Sequence, residues 1–210
     1  PLHYLSKIAG EKYKVAVSGD GGDEIFGGYI KYSAQEYIEN TVDSVINQEY
    51  KNWELIIIDD CSTDDSLSIV ETKYKSNKKI EIIKLERNSG GPAKPRNIGI
   101  KNSNGDFIAF LDQDDIWDNG KLRICCNSIC DNVDFIYHDM RVVAENDYSV
   151  KQKILSSRQL EQPVLIDLLI NDNAILNSSA MVRRSLLVKI GDINESKKMM
   201  ASEDYNTWLR

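Results

Sequence analysis

Long apolar runs are missing from this sequence. The longest, such as Leu55 to Ile58 and Phe107 to Leu111, are strand-length. They fall far short of the roughly 18 residues that a membrane-crossing helix requires, which excludes a transmembrane segment in this chain. Basic charge is also scarce: 26 Lys and Arg stand against 33 Asp and Glu, a formal net charge of −7. That balance excludes a nucleic-acid binder held by counterion release. An anionic nucleotide can still be held, through a divalent metal, backbone N–H groups or a few placed basic residues.

Histidine and cysteine are too few for a zinc site. Three of the four cysteines form a CCxxxC cluster (Cys125, Cys126, Cys130), with no histidine or second cysteine pair to complete a set. On a helix, Cys126 and Cys130 share a face with Leu122 as small buried hydrophobes. Reduced thiols suit a cytosolic protein. His3 and His138 read as structural or solvent-facing. Repeats, low-complexity tracts and a signal-peptide pattern are all lacking. The chain opens at Pro1 and closes in what reads as the start of a helix, Ala201 to Arg210, so a C-terminally truncated piece of a longer protein is expected.

Glycine is unevenly spread. Six of the twelve (Gly10, Gly19, Gly21, Gly22, Gly27, Gly28) lie in the first 28 residues, a step that separates the first thirty-odd residues from the rest. Val15 to Val17 reads as a short strand before the glycine-rich SGDGGDEIFGG. Helical periodicity follows from Ala34 to Gln48, with Ile38, Val42, Val45 and Ile46 on one face. Strands are then expected at Glu54 to Ile58, Ile80 to Leu85, Asp106 to Leu111, Val133 to Tyr137 and Ser178 to Val182, with further strands up to about residue 155. Helices are expected at Asp64 to Lys75, through Ile98 and Ile100, at Lys121 to Cys130 and at Leu160 to Ile170. Such alternation predicts an α/β fold with a mostly parallel sheet covered on both faces, and ligands at the carboxyl ends of its strands.

Carboxylates cluster at two of those ends. Asp59 and Asp60 leave a buried strand together. Ser62 to Asp65, just after them, can cap the next helix, but capping does not explain two adjacent carboxylates, which are suited to accept from a nucleobase N–H or from ribose hydroxyls. Asp112, Gln113 and Asp114 form a D-x-D after the apolar run FIAFL. In an extended segment residues i and i+2 point the same way, so both carboxylates could share a divalent cation, which would carry the charge of a phosphate group. Glu203 and Asp204 open the last helix, either as favourable charges on its dipole or as the general base for a sugar hydroxyl. Arg96 and Lys94, in a glycine-proline loop, either meet a diphosphate or face solvent.

Two resemblances follow from longer strings. The stretches EYIENTVDSVINQEYKNWELIIIDDCSTDDS, NSGGPAKPRNIGI, GDFIAFLDQDDIW, SSAMVRRS and SEDYNTWLR resemble family 2 glycosyltransferases in order and spacing, over about residues 33–210. The resemblance implies a GT-A (Rossmann-like) fold and transfer, with inversion, of a sugar from a nucleotide-diphosphate sugar to a saccharide or lipid-linked acceptor, in cell-surface polysaccharide assembly. It implies nucleotide-sugar contacts from Asp59, Asp60, Arg96 and Asp112. Mg²⁺ or Mn²⁺ would sit on Asp112 and Asp114, and Asp204 with Glu203 would supply the base. A cytoplasmic site, at the inner face of the membrane if the full-length protein associates peripherally, goes with that chemistry.

Residues 1–32 instead resemble the synthetase domain of glutamine-dependent asparagine synthetases, through SGDGGDEIFGGY. That implies a vestigial ATP site at Ser18, Gly19 and Asp20. The SGGxDS loop and the glutaminase domain of that family are absent, so synthetase activity is not expected. The glycosyltransferase's usual first nucleotide-binding loop is replaced by VAVSGDGGDEIFGGYIKYS, whose strand can still complete the sheet. An asparagine synthetase remnant and a catalytically inactive chimeric fold are the alternative readings.

Overall fold

The computed structural model describes residues 14–20, 34–142, 153–155 and 157–210. In chain order its strands are β1 (Val15–Asp20), β2 (Trp53–Asp59), β3 (Ile80–Lys84), β4 (Phe107–Asp112), β5 (Phe135–Ile136), β6 (Met140–Val142), β7 (Lys153–Leu155) and β8 (Met181–Arg183). The helices are α1 (Ala34–Ile46), α2 (Ser66–Tyr74), α3 (Ala93–Asn102), α4 (Lys121–Asn127), α5 (Val164–Asn171), α6 (Arg184–Ile190) and α7 (Glu203–Trp208), with 3₁₀ turns at Asn177–Ser179 and Lys197–Met199. Six strands form one sheet in the order β3-β2-β1-β4-β8-β5, while β6 and β7 pair as a separate ribbon. The β1–β2, β1–β4 and β2–β3 pairs are parallel, and β8 runs antiparallel to both β4 and β5. The expected mostly parallel α/β architecture is what the chain adopts.

The two-residue strand period sorts the core into layers. Val15 and Val17 of β1 and Phe107, Ala109 and Leu111 of β4 face the cluster that includes Val42, Val45, Val70, Tyr74, Leu122 and Cys126, so α1, α2 and α4 cover that face. The intervening Ala16, Ile108 and Phe110 join Ala93, Ile175, Leu187 and Ile193 on the other face, beside Trp208. Burial on both faces explains why β4 reads as the unbroken apolar run FIAFL rather than as an alternating one.

The strand expected at Val15 to Val17 extends to Asp20 and lies between β2 and β4. Its register places Asp20 level with Asp112 on β4. Gly105, just before β4, sits where β1 and β4 converge. A Cβ there would lie 2.5 Å from the Ala16 nitrogen and 3.0 Å from the Lys14 carbonyl oxygen, so only glycine lets the two strands approach so closely.

Two local expectations are corrected. Helix α4 ends at Asn127, so Cys130 lies beyond it and is exposed, while Cys125 and Cys126 are buried. The strand expected from Ser178 begins only at Met181, because residues 177–179 curl into a 3₁₀ turn.

Candidate active site

The carboxyl ends of β2 and β4 open on one edge of the sheet, and their acidic residues have different surroundings. Asp59 is 7% exposed; its Oδ1 accepts the Ser62 N–H at 3.3 Å, and its Oδ2 is buried with no hydrogen-bond partner among the described residues. It borders an apolar recess of about 600 Å³, open mouth included, lined by Ile38, Leu55, Leu67, Val70 and Leu111 together with Thr41 and Gln113. A buried carboxylate oxygen without a donor is costly. A ligand N–H in that recess would relieve it.

Asp60 is committed elsewhere. Both of its oxygens accept the Ser89 N–H, at 2.8 and 3.0 Å, and Oδ2 also accepts the Ser89 hydroxyl at 2.7 Å. Asn88 donates to the Asp60 carbonyl at 2.9 Å. Its carboxylate holds the glycine-proline loop that precedes α3. Cys61, in the left-handed region at φ 64°, turns the chain between the two acidic neighbours and the next helix.

Arg96 is neither a solvated side chain nor free to meet a diphosphate alone. It is 6% exposed, and its guanidinium spans two carboxylates, Nη1 to Glu203 Oε1 at 2.7 Å and Nη2 to Asp112 Oδ1 at 3.0 Å. This fork ties the end of β4 to the start of α7, with Arg96 and Glu203 separated by 107 positions in the sequence. The expected contributors Arg96, Asp112, Glu203 and Asp204 are thus brought together. Lys94 stays exposed. Glu203 Oε2 is buried without a hydrogen-bond partner among the described residues. The Asp204 carboxyl is pushed above the ordinary aspartate range, first by burial and also by the charges of Glu203 and Asp112, with Arg96 acting in the opposite sense. A raised carboxyl beside a cleft is the state that a general base needs.

The acidic turn departs from the strand geometry expected of it. β4 ends at Asp112, and the Asp115 N–H donates to the Asp112 carbonyl at 3.2 Å, closing a turn. Asp112 and Asp114 are therefore related by a turn and not by strand alternation. Oδ1 of Asp112 takes Arg96 and Asn177, leaving Oδ2 without a hydrogen-bond partner among the described residues, and Asp114 is exposed. No group of three or more histidine, cysteine or acidic side chains able to hold a metal occurs among the described residues. Two hard oxygens fit Mg²⁺ or Mn²⁺ in a site completed by substrate phosphates and water, and they do not form an all-protein cage.

Several residues behind this turn were not singled out in the sequence. Thr41 donates to the carbonyls of Gln113 and Asp115 at 2.7 and 2.9 Å, and the Trp117 N–H donates to the Ser44 hydroxyl at 3.2 Å. Gln48, fully buried, donates to the Asp118 carbonyl at 2.8 Å and accepts the Leu122 N–H at 2.9 Å. The signal was there: Thr41 and Ser44 interrupt the apolar side of α1, Gln48 follows just past its end, and buried polar groups need partners.

Lys121 is fully buried, its Nζ 2.7 Å from the Ser178 carbonyl and 3.5 Å above the Trp117 ring. Burial pulls its ammonium down to about 7, while the same effect raises Asp115 to about 6. In the unfolded chain Lys121 keeps its proton up to its ordinary range, so between about pH 7 and 10 the unfolded state binds more protons. Stability should therefore rise with pH through that window, by up to about 1.4 kcal/mol per pH unit for one proton. Cys125 and Cys126 act in the opposite sense above the thiol range, because burial raises both. The comparison that isolates Lys121 is urea unfolding of wild type and Lys121→Met from pH 7 to 8.5. The rising slope should vanish in the variant, and equal slopes would contradict the assignment.

Comparison with known proteins decides the family. The model of Glycosyl transferase family 2 matches residues 30–191. The chain belongs to glycosyl transferase family 2, an inverting family. It is 32% identical over 177 residues to the poly(ribitol-phosphate) β-N-acetylglucosaminyltransferase TarS of Staphylococcus aureus, covering 82% of this chain and 30% of TarS. It is 31% identical over 183 residues to the Escherichia coli UDP-Glc:α-D-GlcNAc-diphosphoundecaprenol β-1,3-glucosyltransferase WfgD, covering 85% of this chain and 65% of WfgD. The chain thus spans less than two thirds of either relative.

The crystal structure of S. aureus TarS 1–349 with UDP superposes at a TM-score of 0.68 and 26% identity, covering 93% of this chain and 54% of that one. TarS 1–349 was also solved with UDP-GlcNAc, and matches at a TM-score of 0.61 and 27% identity over 84% of this chain and 47% of that one. The expected GT-A fold is therefore shown. The comparisons give no support to the asparagine synthetase resemblance. Of its motif, Ser18, Gly19 and Asp20 lie at the end of β1, in the middle of the glycosyltransferase sheet, and residues 21–32 lie outside the described residues. No helix among the described residues is long and apolar enough to cross a membrane.

Proposed function

We propose that this chain transfers a sugar, with inversion, from a uridine-diphosphate sugar to an acceptor hydroxyl in the assembly of a cell-surface polymer. One observation carries the reading: the Arg96 fork joins the metal-facing carboxylate Asp112 to the acidic pair Glu203 and Asp204. A donor site and an acceptor base are thereby held in one rigid unit. The UDP-Glc donor and GlcNAc-diphosphoundecaprenol acceptor in the name of WfgD, the poly(ribitol-phosphate) in that of TarS and the TarS structure with UDP-GlcNAc support the choice of substrates. A cytoplasmic location fits a nucleotide-sugar donor.

In this reading the nucleobase enters the apolar recess and gives an N–H to Asp59 Oδ2. Asp112 Oδ2 and Asp114 would hold Mg²⁺ or Mn²⁺, which when bound would supply positive charge to offset that of the leaving diphosphate. Asp204 takes the proton of the acceptor hydroxyl as its oxygen attacks the anomeric carbon from the face opposite the diphosphate. Arg96 holds Glu203 and Asp112 in place during the displacement and keeps their charges from raising Asp204 further.

Turnover tests the reading. UDP released from UDP-GlcNAc or UDP-Glc, with Mn²⁺ and with or without a polyol-phosphate acceptor, should be faster for wild type than for Asp204→Asn. Equal background rates would instead favour the catalytically inactive fold.

A further inference from the structure

The 3₁₀ turn Asn177–Ser179 lies behind the acidic turn; its serines open the string SSAMVRRS, and none of its three residues is given a role from the sequence. Its position follows from the sheet. Antiparallel pairing of β4 with β8 reaches Ala109 opposite Met181, and the Phe110 N–H still finds the Ala180 carbonyl at 3.2 Å. Beyond that point the neighbouring chain curls away, so the ladder supplies no backbone carbonyl for the Asp112 N–H. The Ser178 hydroxyl replaces it, accepting that N–H at 2.9 Å.

Ser178 then holds the rest of the turn. Its carbonyl accepts the Trp117 indole N–H at 3.0 Å and Lys121 Nζ at 2.7 Å. Asn177 acts on the carboxylate itself, with Nδ2 2.7 Å from Asp112 Oδ1, the same oxygen that Arg96 takes. Two donors converging on one oxygen stop the carboxylate from rotating and leave the other oxygen directed away from both.

We propose that Asn177 and Ser178 are positioning residues that clamp Asp112 so that Oδ2 alone is presented to the divalent cation. The inference rests on the reading of Asp112 as a metal ligand. Outer partners of this kind hold a ligand in its bound geometry before the metal arrives, and their loss weakens metal affinity by about 10–100-fold. Ser178 is almost wholly buried, whereas Asn177 is partly exposed, so the decisive variants are at Asn177.

The test is Mn²⁺ affinity in the presence of saturating UDP, read from the free-ion electron paramagnetic resonance signal. Wild type, Asn177→Leu, Asn177→Ala and Asp114→Ala are compared, with thermal unfolding as the control for folding. Asn177→Leu keeps the side-chain volume and removes the donor. A loss of about 10–100-fold in both Asn177 variants, at nearly unchanged melting temperature, is the expected result. Wild-type affinity in both, with affinity lost in Asp114→Ala, overturns the clamp and leaves the metal assignment standing. Unchanged affinity in all three variants overturns the metal assignment and the clamp with it.

Discussion

Asp204→Asn should lower kcat by about 10²–10⁴-fold and leave nucleotide affinity unchanged. The substitution preserves shape and removes only the capacity to accept a proton. Burial and the neighbouring Glu203 charge raise the Asp204 carboxyl, while Arg96 opposes them. The acid limb of kcat/KM should consequently lie above the ordinary aspartate range, since the base works only when ionised. Neutralising the neighbour in Glu203→Gln removes a like charge and should move that limb to lower pH. A pH profile of donor consumption checks both statements. Asp204→Asn with wild-type turnover would remove the general base from the mechanism.

The second large effect is expected at Arg96. Arg96→Met leaves two carboxylates without their shared cation, one of them the almost wholly buried Glu203, whose side chain is 6% exposed. Removing one member of a buried ion pair costs about 3–5 kcal/mol, because a charge stays buried and uncompensated. For a chain of this size that corresponds to a melting temperature lower by roughly 6–20 °C. Arg96→Lys should rescue little, because an ammonium cannot present two N–H groups in a planar fork to carboxylates from different elements. Calorimetric melting of the three proteins measures this. If the methionine variant matches wild type, the bridge contributes nothing to the fold.

The fold was legible because its core strands are apolar on both faces and end in charged turns. FIAFL before Asp112 and LIII before Asp59 announce buried strands, and the positions of their ends followed directly. The strand expected at Val15 to Val17 is present as part of β1, since VAV carries the β pattern.

The site was legible in its residue types and less so in its connections. Arg96 looked like one basic residue in a polar loop, because nothing local shows that Glu203 and Asp112 come to meet it. Asp59 and Asp60 looked equivalent, yet one borders an apolar recess and the other braces a loop through Ser89. Strand alternation failed for Asp112 and Asp114 because hydrogen bonds from Thr41 and the Asp115 N–H, and one from the Asp112 N–H to Ser178, fold that segment into a turn. Such long-range polar partners have no periodicity, so only polar residues on an apolar helix face, as at Thr41 and Ser44, hint at them.

The central claim is that strand-end carboxylates here hold a nucleoside diphosphate through a divalent cation. Titration calorimetry of UDP into the protein, with and without Mn²⁺ and repeated with Asp114→Ala, addresses it directly. Saturable binding that requires Mn²⁺ and is lost in the variant is the predicted result. Equal UDP binding with and without the metal, or no binding in either condition, would contradict it.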